Sequence, residues 1–277
     1  MSCLIFALLM RFRQYLVSVL LLSFTVLISC NGFERVKRSN DVNYKLSMGN
    51  KYFDKKDYLH ARELYESLMP VMKGTKNFEP MYYKYAMACF MLKDYNSASY
   101  HFKNYVNSFP NSPNKDEADF IHAYSIYKMS PKITVMQSNT EKALEVLQTF
   151  VNNNPESKHA TEANKYIAEL QSKLEEKAAI AAKLYFNISQ YKAATVVYKN
   201  IQTDFPMSNR MDEYQYMIVK ANYKFAKASV KDKQEERYIN VLSAYQELVD
   251  TYPQSKYIKD AEKYFSLASN NIKKLKK

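Results

Sequence analysis

Catalysis needs acids, bases or nucleophiles brought together, and no local pattern in this sequence does so. The four histidines, His60, His101, His122 and His159, are far apart, each in or beside a helical stretch among charged residues. They read as solvated helix positions. There is no H-E-x-x-H pair, no paired-cysteine motif, no glycine-rich phosphate loop and no G-x-S-x-G elbow. Many carboxylates follow the i,i+4 pattern with lysine that marks a solvated helix face. The expectation is therefore no enzyme, no metal and no cofactor. Aromatic residues do recur at a fixed spacing. Phe53, Phe90, Tyr127, Phe186 and Phe225 each stand four residues after a small one: Gly49, Ala86, Ala123, Ala182 and Ala221. Tyr83, Phe120 and Ile218 stand three residues before that small one. Such a row could bind apolar and aromatic side chains without demanding one sequence. It could equally be packing between helices, and both readings stand. Lys84, Lys183, Arg210, Lys220 and Arg237 could steer acidic partners, or could be solvated.

The elements that must position these rings are helices. Glycine occurs 3 times and tryptophan never, while Ala, Leu, Lys, Glu and Met abound. So few glycines disfavour a hairpin-rich β fold. A phrase recurs after each of several helical runs: Phe109-Pro110-Asn111-Ser112, Asn154-Pro155-Glu156-Ser157, Phe205-Pro206-Met207-Ser208 and Tyr252-Pro253-Gln254-Ser255. Proline stops one helix, and a serine two residues on suits the N-cap of the next. Repetition of such a unit marks a helical solenoid.

The register can be followed hairpin by hairpin. In the first, Gly49, Tyr52, Tyr58, Ala61, Tyr65 and Leu68 alternate small and large as two close antiparallel helices require. Ala86, Cys89, Tyr95, Ala98, Phe102 and Tyr105 repeat the pattern, as do Ala182, Tyr185, Tyr191, Ala194, Tyr198 and Ile201. The third unit keeps its second helix through Ala143, Leu147 and Phe150, after an insertion spanning 130–139. The fifth pairs helices near 214–228 and 238–251, separated by a charged segment, with Val241 in the small-residue slot. A final helix to about Leu275 ends in basic residues, which suits a helix C-terminus and a solenoid cap. The pattern is nearly unbroken from Asn164 to Lys183, where helices of units three and four join or abut. The expected fold is all-α, a tetratricopeptide-repeat superhelical solenoid of about five hairpins plus a capping helix.

At the amino end, Arg11 and Arg13 precede an uncharged run, Tyr15 to Ile28, shorter than an ordinary spanning helix. It ends Leu27-Ile28-Ser29-Cys30, which resembles the lipobox of bacterial lipoprotein signal peptides. Residues 1–29 are then a signal peptide, with Met10 an alternative start, Cys30 is the lipidated residue, and 30–41 is a polar tether. Residues 42–165 hold units one to three, and 166–277 hold units four and five with the terminal helix. Cys89 would remain as a single thiol in the apolar core. The formal charge of +12 favours acidic partners or anionic lipid and does not by itself indicate nucleic acid, which is not expected.

Together the lipoprotein signal, the short tether, the five hairpins, the aromatic-Pro-x-Ser phrases and the terminal helix resemble the BamD family of outer-membrane β-barrel assembly lipoproteins. That resemblance implies a lipid-anchored protein on the periplasmic face of the outer membrane. It implies binding to the barrel subunit BamA and recognition of the C-terminal segments of incoming barrel proteins. The first three hairpins, with Phe53, Tyr83, Phe90 and Tyr127, would be the substrate side of a groove continued by Phe186 and Phe225. The last two, with Arg210, Lys220 and Arg237, would be the docking side. The insertion and the basic charge depart from the family pattern. Rival expectations are a generic periplasmic tetratricopeptide adaptor and a SusD-like ligand-binding lipoprotein, although SusD-like chains are much longer and carry their site in inserted segments.

Overall fold

Small residues meet large ones across every expected hairpin, and that alternation draws the helices together in the computed structural model. It describes residues 32–276. The expected signal peptide, the lipidated Cys30 and the terminal Lys277 lie outside the described residues. The described residues form twelve helices. These are α1 (32–38), α2 (Val42–Asp54), α3 (Tyr58–Met72), α4 (Phe78–Met91), α5 (Tyr95–Ser108), α6 (Lys115–Lys128), α7 (Ser138–Asn153), α8 (Ala160–Asn187), α9 (Tyr191–Asp204), α10 (Met211–Lys227), α11 (Lys231–Thr251) and α12 (Ile258–Leu275). Sequence neighbours pack side by side from α2 to α6 and again from α9 to α12, with α10 also touching α12. This is an all-α, tetratricopeptide-like solenoid. The chain divides into two compact units, 32–129 with 149–163 and 130–148 with 164–276.

The small-residue slots are sealed. Ala61, Ala98, Ala143 and Ala194 on the second helices, and Ala86, Ala123, Ala182 and Ala221 on the first, are all fully buried. Val241 fills the same slot in the fifth hairpin and is equally buried, so the register survives the branched side chain. Gly49 shows why the slot must be small: a Cβ there would sit 2.9 Å from Cε1 of Tyr65, a ring that is itself fully buried.

Three of the turns between first and second helices share one conformation. Lys56, Lys93 and Ser189 all adopt φ of +63°. In each, the residue's N–H donates to a carbonyl three back and the next N–H to one five back: Phe53 and Tyr52, Phe90 and Cys89, Phe186 and Tyr185. These are left-handed helix C-terminal caps, filled here without glycine. Asp57 and Asp94 follow directly and cap the next helix, accepting from the N–H groups of His60 and Ser97. Helix stop and helix start thus occupy adjacent residues.

The Pro-x-Ser phrases close the other end of the hairpins, but not as N-caps. Each serine sits two residues before the cap position, and its Oγ accepts from the backbone N–H there: Asn114, His159, Arg210 and Tyr257. The same hydroxyl reaches back to the first helix of its own hairpin. Ser157, Ser208 and Ser255 donate to Asp116, Glu175 and Asp212. Ser112 reaches Glu79 through the Tyr105 hydroxyl, which bonds both. The serine is a latch across the hairpin mouth rather than the helix cap expected from sequence.

Other expectations are revised. Residues 32–38, read as polar tether, form α1, whose Phe33 and Val36 are buried against Leu64, Met48 and Tyr52. The charged segment 231–237 is the first part of α11. Near 164–183, where joined and abutting helices were both expected, they are joined as one helix of 28 residues, α8. The insertion is an ordered loop: Lys173 Nζ donates to Ser130 Oγ and the Pro131 carbonyl, and Lys177 Nζ to the carbonyls of Ile133 and Val135. His122 is buried rather than solvated.

Two substitutions separate the packing term from the turn term in a urea titration. Gly49→Ala should destabilise the chain by about 1–3 kcal/mol, since the Tyr65 ring has no room to retreat. Lys93→Gly should stabilise it by about 1 kcal/mol through relief of the left-handed backbone.

Candidate functional site

The aromatic row follows from helix geometry. A residue four after the buried small one lies a turn further along the same side of the helix. All five rings are half-buried, in three rungs of the first unit (Phe53, Phe90, Tyr127) and two of the second (Phe186, Phe225). Each of the three tight turns brings its rung edge-on to the first ring of the following helix. The centroid distances are 5.4 Å for Phe53–Tyr58, 5.7 Å for Phe90–Tyr95 and 5.4 Å for Phe186–Tyr191. Phe90 also meets Tyr124 at 5.9 Å, and Tyr127 stacks on Tyr124 at 5.6 Å. Phe53, Phe90, Tyr127 and Phe186 thus each pack on a neighbouring ring while staying partly exposed. Tyr83 turns inward, edge-on to Phe102 and Tyr105, and burial beside Glu117 pushes its hydroxyl pKa up.

Cations cover several rungs. Lys84 Nζ lies 5.5 Å from the Phe53 centroid and donates to Asn50 Oδ1 at 3.0 Å. The three expected docking cations differ from one another. Arg210 is engaged internally: it donates to Glu213 and Glu176 and lies 5.2 Å from the Tyr214 ring. Its hydrogen bond to Glu213, and then that to Glu176, holds its guanidinium above the usual range. Arg237 lies over Phe225 at 4.1 Å and donates to Ser229 Oγ, so it braces the α10–α11 turn. Lys220 lies between rings, 5.5 Å from Phe186 and 5.9 Å from Tyr216. Sequence reading missed Tyr216, Tyr257 and Lys256 beside it. The available signal was the tyrosine that follows the last Pro-x-Ser phrase.

Nucleophilic chemistry is disfavoured where a nucleophile exists. Burial pushes the Cys89 thiol up to about 11, so little thiolate forms near neutrality. Among the described residues, no group of three or more His, Cys, Asp or Glu side chains could hold a metal ion. Nor is any described helix long and apolar enough to cross a membrane.

Stacked helix hairpins with sealed small-residue slots and a row of half-buried rings define a tetratricopeptide-class fold. The sequence of residues 39–210 matches the YfiO family model, described as an outer membrane lipoprotein, and the chain belongs to that family. No curated protein matches the sequence. Among solved structures, a TPR repeats protein from Bacteroides fragilis is similar at 14% identity and TM-score 0.42, over 83% of this chain and 99% of that one. The TPR2AB domain of yeast Sti1, in complex with pHSP90, is similar at 14% identity and TM-score 0.38, over 82% and 98%.

The tyrosine cluster of the second hairpin has a pH signature. His101 packs against Tyr82, Tyr85 and Tyr100, and burial lowers its pKa below the ordinary value of 6.5. The unfolded chain therefore takes up this proton first on acidification. The contribution is full above the ordinary value and is lost as pH falls through the folded one. Urea midpoints followed from about pH 7.5 to pH 5 should fall less steeply in His101→Gln than in the wild type. Parallel curves would show that this imidazole stays as solvated as the sequence suggested.

Proposed function

We propose that the chain is a non-enzymatic, lipid-anchored subunit of a β-barrel assembly machine, binding a BamA-like barrel subunit and incoming outer-membrane proteins on the periplasmic face. Membership of the outer membrane lipoprotein family over 39–210 supports the class and the location. The half-open rings of the first unit carry the substrate part of the reading. A barrel strand in transit has an unpaired edge and an apolar face, both prone to aggregation in water. Phe53, Phe90 and Tyr127 would accept its apolar side chains on their open edges, with Tyr83 bracing them from behind. The second unit, with Lys220 half-buried between rings and Arg210 and Arg237 shaping its surface, would be the docking side.

The anchor explains how weak binding becomes useful. Acylated Cys30 would hold both units at the bilayer, where the client and the barrel subunit are concentrated. Helix α1 begins two residues later and docks on the first hairpin, so little slack separates lipid from fold. Closure of the barrel would satisfy the client's edges and favour release.

Affinity purification through a carboxy-terminal tag in mild detergent should recover the large barrel subunit. Recovery of other partners, with normal barrel-protein levels in a deletion strain, would instead assign a generic adaptor. Cys30→Ser should abolish palmitate labelling and release the protein from the membrane fraction. Phe90→Ala and Tyr127→Ala should each weaken binding of a barrel C-terminal peptide by about tenfold with the fold intact. Unchanged binding would discard the aromatic row as a groove.

A further inference from the structure

The second unit carries an aromatic surface of its own. Its first helices α8, α10 and α12 contribute Phe186, Tyr216 and Tyr264, with Tyr257 at the mouth of α12. Tyr216 and Tyr257 lie nearly parallel, 8° apart with centroids at 5.0 Å. Tyr264 continues the strip to Tyr223 at 5.3 Å. Lys220 stands one turn after Tyr216 and directs its ammonium between that ring and Phe186. Lys256 Nζ lies 5.1 Å from the Tyr257 centroid. All four of Phe186, Tyr216, Tyr257 and Lys220 are partly exposed.

Charge decides what this strip can hold. Lys220 and Lys256 make no ion pair among the described residues, whereas Arg210 is bound to Glu176 and Glu213. Asp260, the carboxylate whose field reaches Lys220, is already bound to Lys263 at 2.7 Å. Ring faces satisfy a cation only in part, because their attraction is smaller than that of a carboxylate in the same place.

We propose that this strip, centred on Lys220 between Phe186 and the Tyr216–Tyr257 stack, docks an extended acidic segment of a partner protein, with a carboxylate side chain on Lys220 and a neighbouring aromatic side chain on the tyrosine pair. A point-charge ammonium with flat rings beside it suits a carboxylate flanked by an aromatic; the arginine fork that favours bidentate phosphate is absent from this strip, since Arg210 and Arg237 are engaged elsewhere. The site names the chemistry of the partner on the docking side and rests on the reading of the second unit as that side.

The test is fluorescence anisotropy of the full chain in mild detergent with a fluorescein-labelled peptide of alternating Phe and Glu. The Phe–Glu peptide should bind at least about tenfold more tightly than its Phe–Gln counterpart. Lys220→Gln should remove about tenfold of that affinity, Tyr257→Ala a comparable amount, and Lys142→Gln none. Thermal melts of each variant separate loss of the site from loss of the fold, and Lys220→Arg should retain most of the binding if charge is what matters. Equal binding of both peptides, or an unaffected Lys220→Gln, overturns the proposal. So does competition by phosphatidylglycerol vesicles that depends on Lys220, which would reassign the strip to lipid. If peptide binding fails while the tagged chain still recovers the barrel subunit, this site alone falls and the docking role stands.

Discussion

Two helices approach most closely where one of them presents a small side chain, and the hairpins here are built around such a slot. The slot is filled by glycine once, by alanine in most hairpins and by valine at Val241, and each occupant is buried. The large residues around it, such as Tyr65, Phe102 and Tyr198, are large because the space beside a small residue must be filled to native density. Gly49 is the limiting case, since the Tyr65 ring already occupies the volume that a methyl group would need. The position of the aromatic row is a consequence of the same contact. A ring one turn beyond the slot lies beside the turn and packs on the first ring of the next helix, which leaves it half-buried.

The ends of the hairpins are held by different chemistry. At the tight end, a left-handed residue and an aspartate cap reverse the chain within a few residues. At the open end, a serine hydroxyl both accepts from the backbone ahead and donates to an acid behind. A net hydrogen bond of this kind contributes only about 1 kcal/mol. Repeated at four hairpin ends, however, it ties the backbone before each next helix to the first helix of the hairpin it closes, directly or through the Tyr105 hydroxyl. The insertion after α6 does not break this scheme, because Lys173 and Lys177 satisfy its carbonyls and keep it against α8.

The expected interaction cations divide by environment. Arg210 has two carboxylates and a ring within reach, Arg237 has a ring and a hydroxyl, and Lys220 has two rings and only the more distant field of Asp260, which is bound to Lys263. A cation that has already met its charge inside the fold contributes to shape, whereas one between rings with no bonded carboxylate keeps attraction for something outside. The recognition surfaces of the two units therefore differ in kind. The first is a row of rings with Lys84 tied to Asn50, and the second is a ring strip with an unspent positive charge.

Much of the fold was legible in the residues themselves because it is built from local rules. The small-to-large alternation, the helix-stopping prolines and the period of the repeat are short-range patterns, and the hairpins, the aromatic spacing and the terminal helix could be read from them. What only the tertiary structure decided depends on which neighbours arrive. The serines cap nothing and latch backwards, since their acids lie more than thirty residues upstream or, for Ser112, behind the Tyr105 hydroxyl. Residues 32–38 fold into α1 because Leu64 and Tyr52 offer an apolar seat that a polar-looking stretch does not announce. Whether a lysine is solvated, paired or held between rings follows from side chains on other helices. Sequence spacing placed Lys220 on its helix, and the packing of α8 against α10 placed its charge.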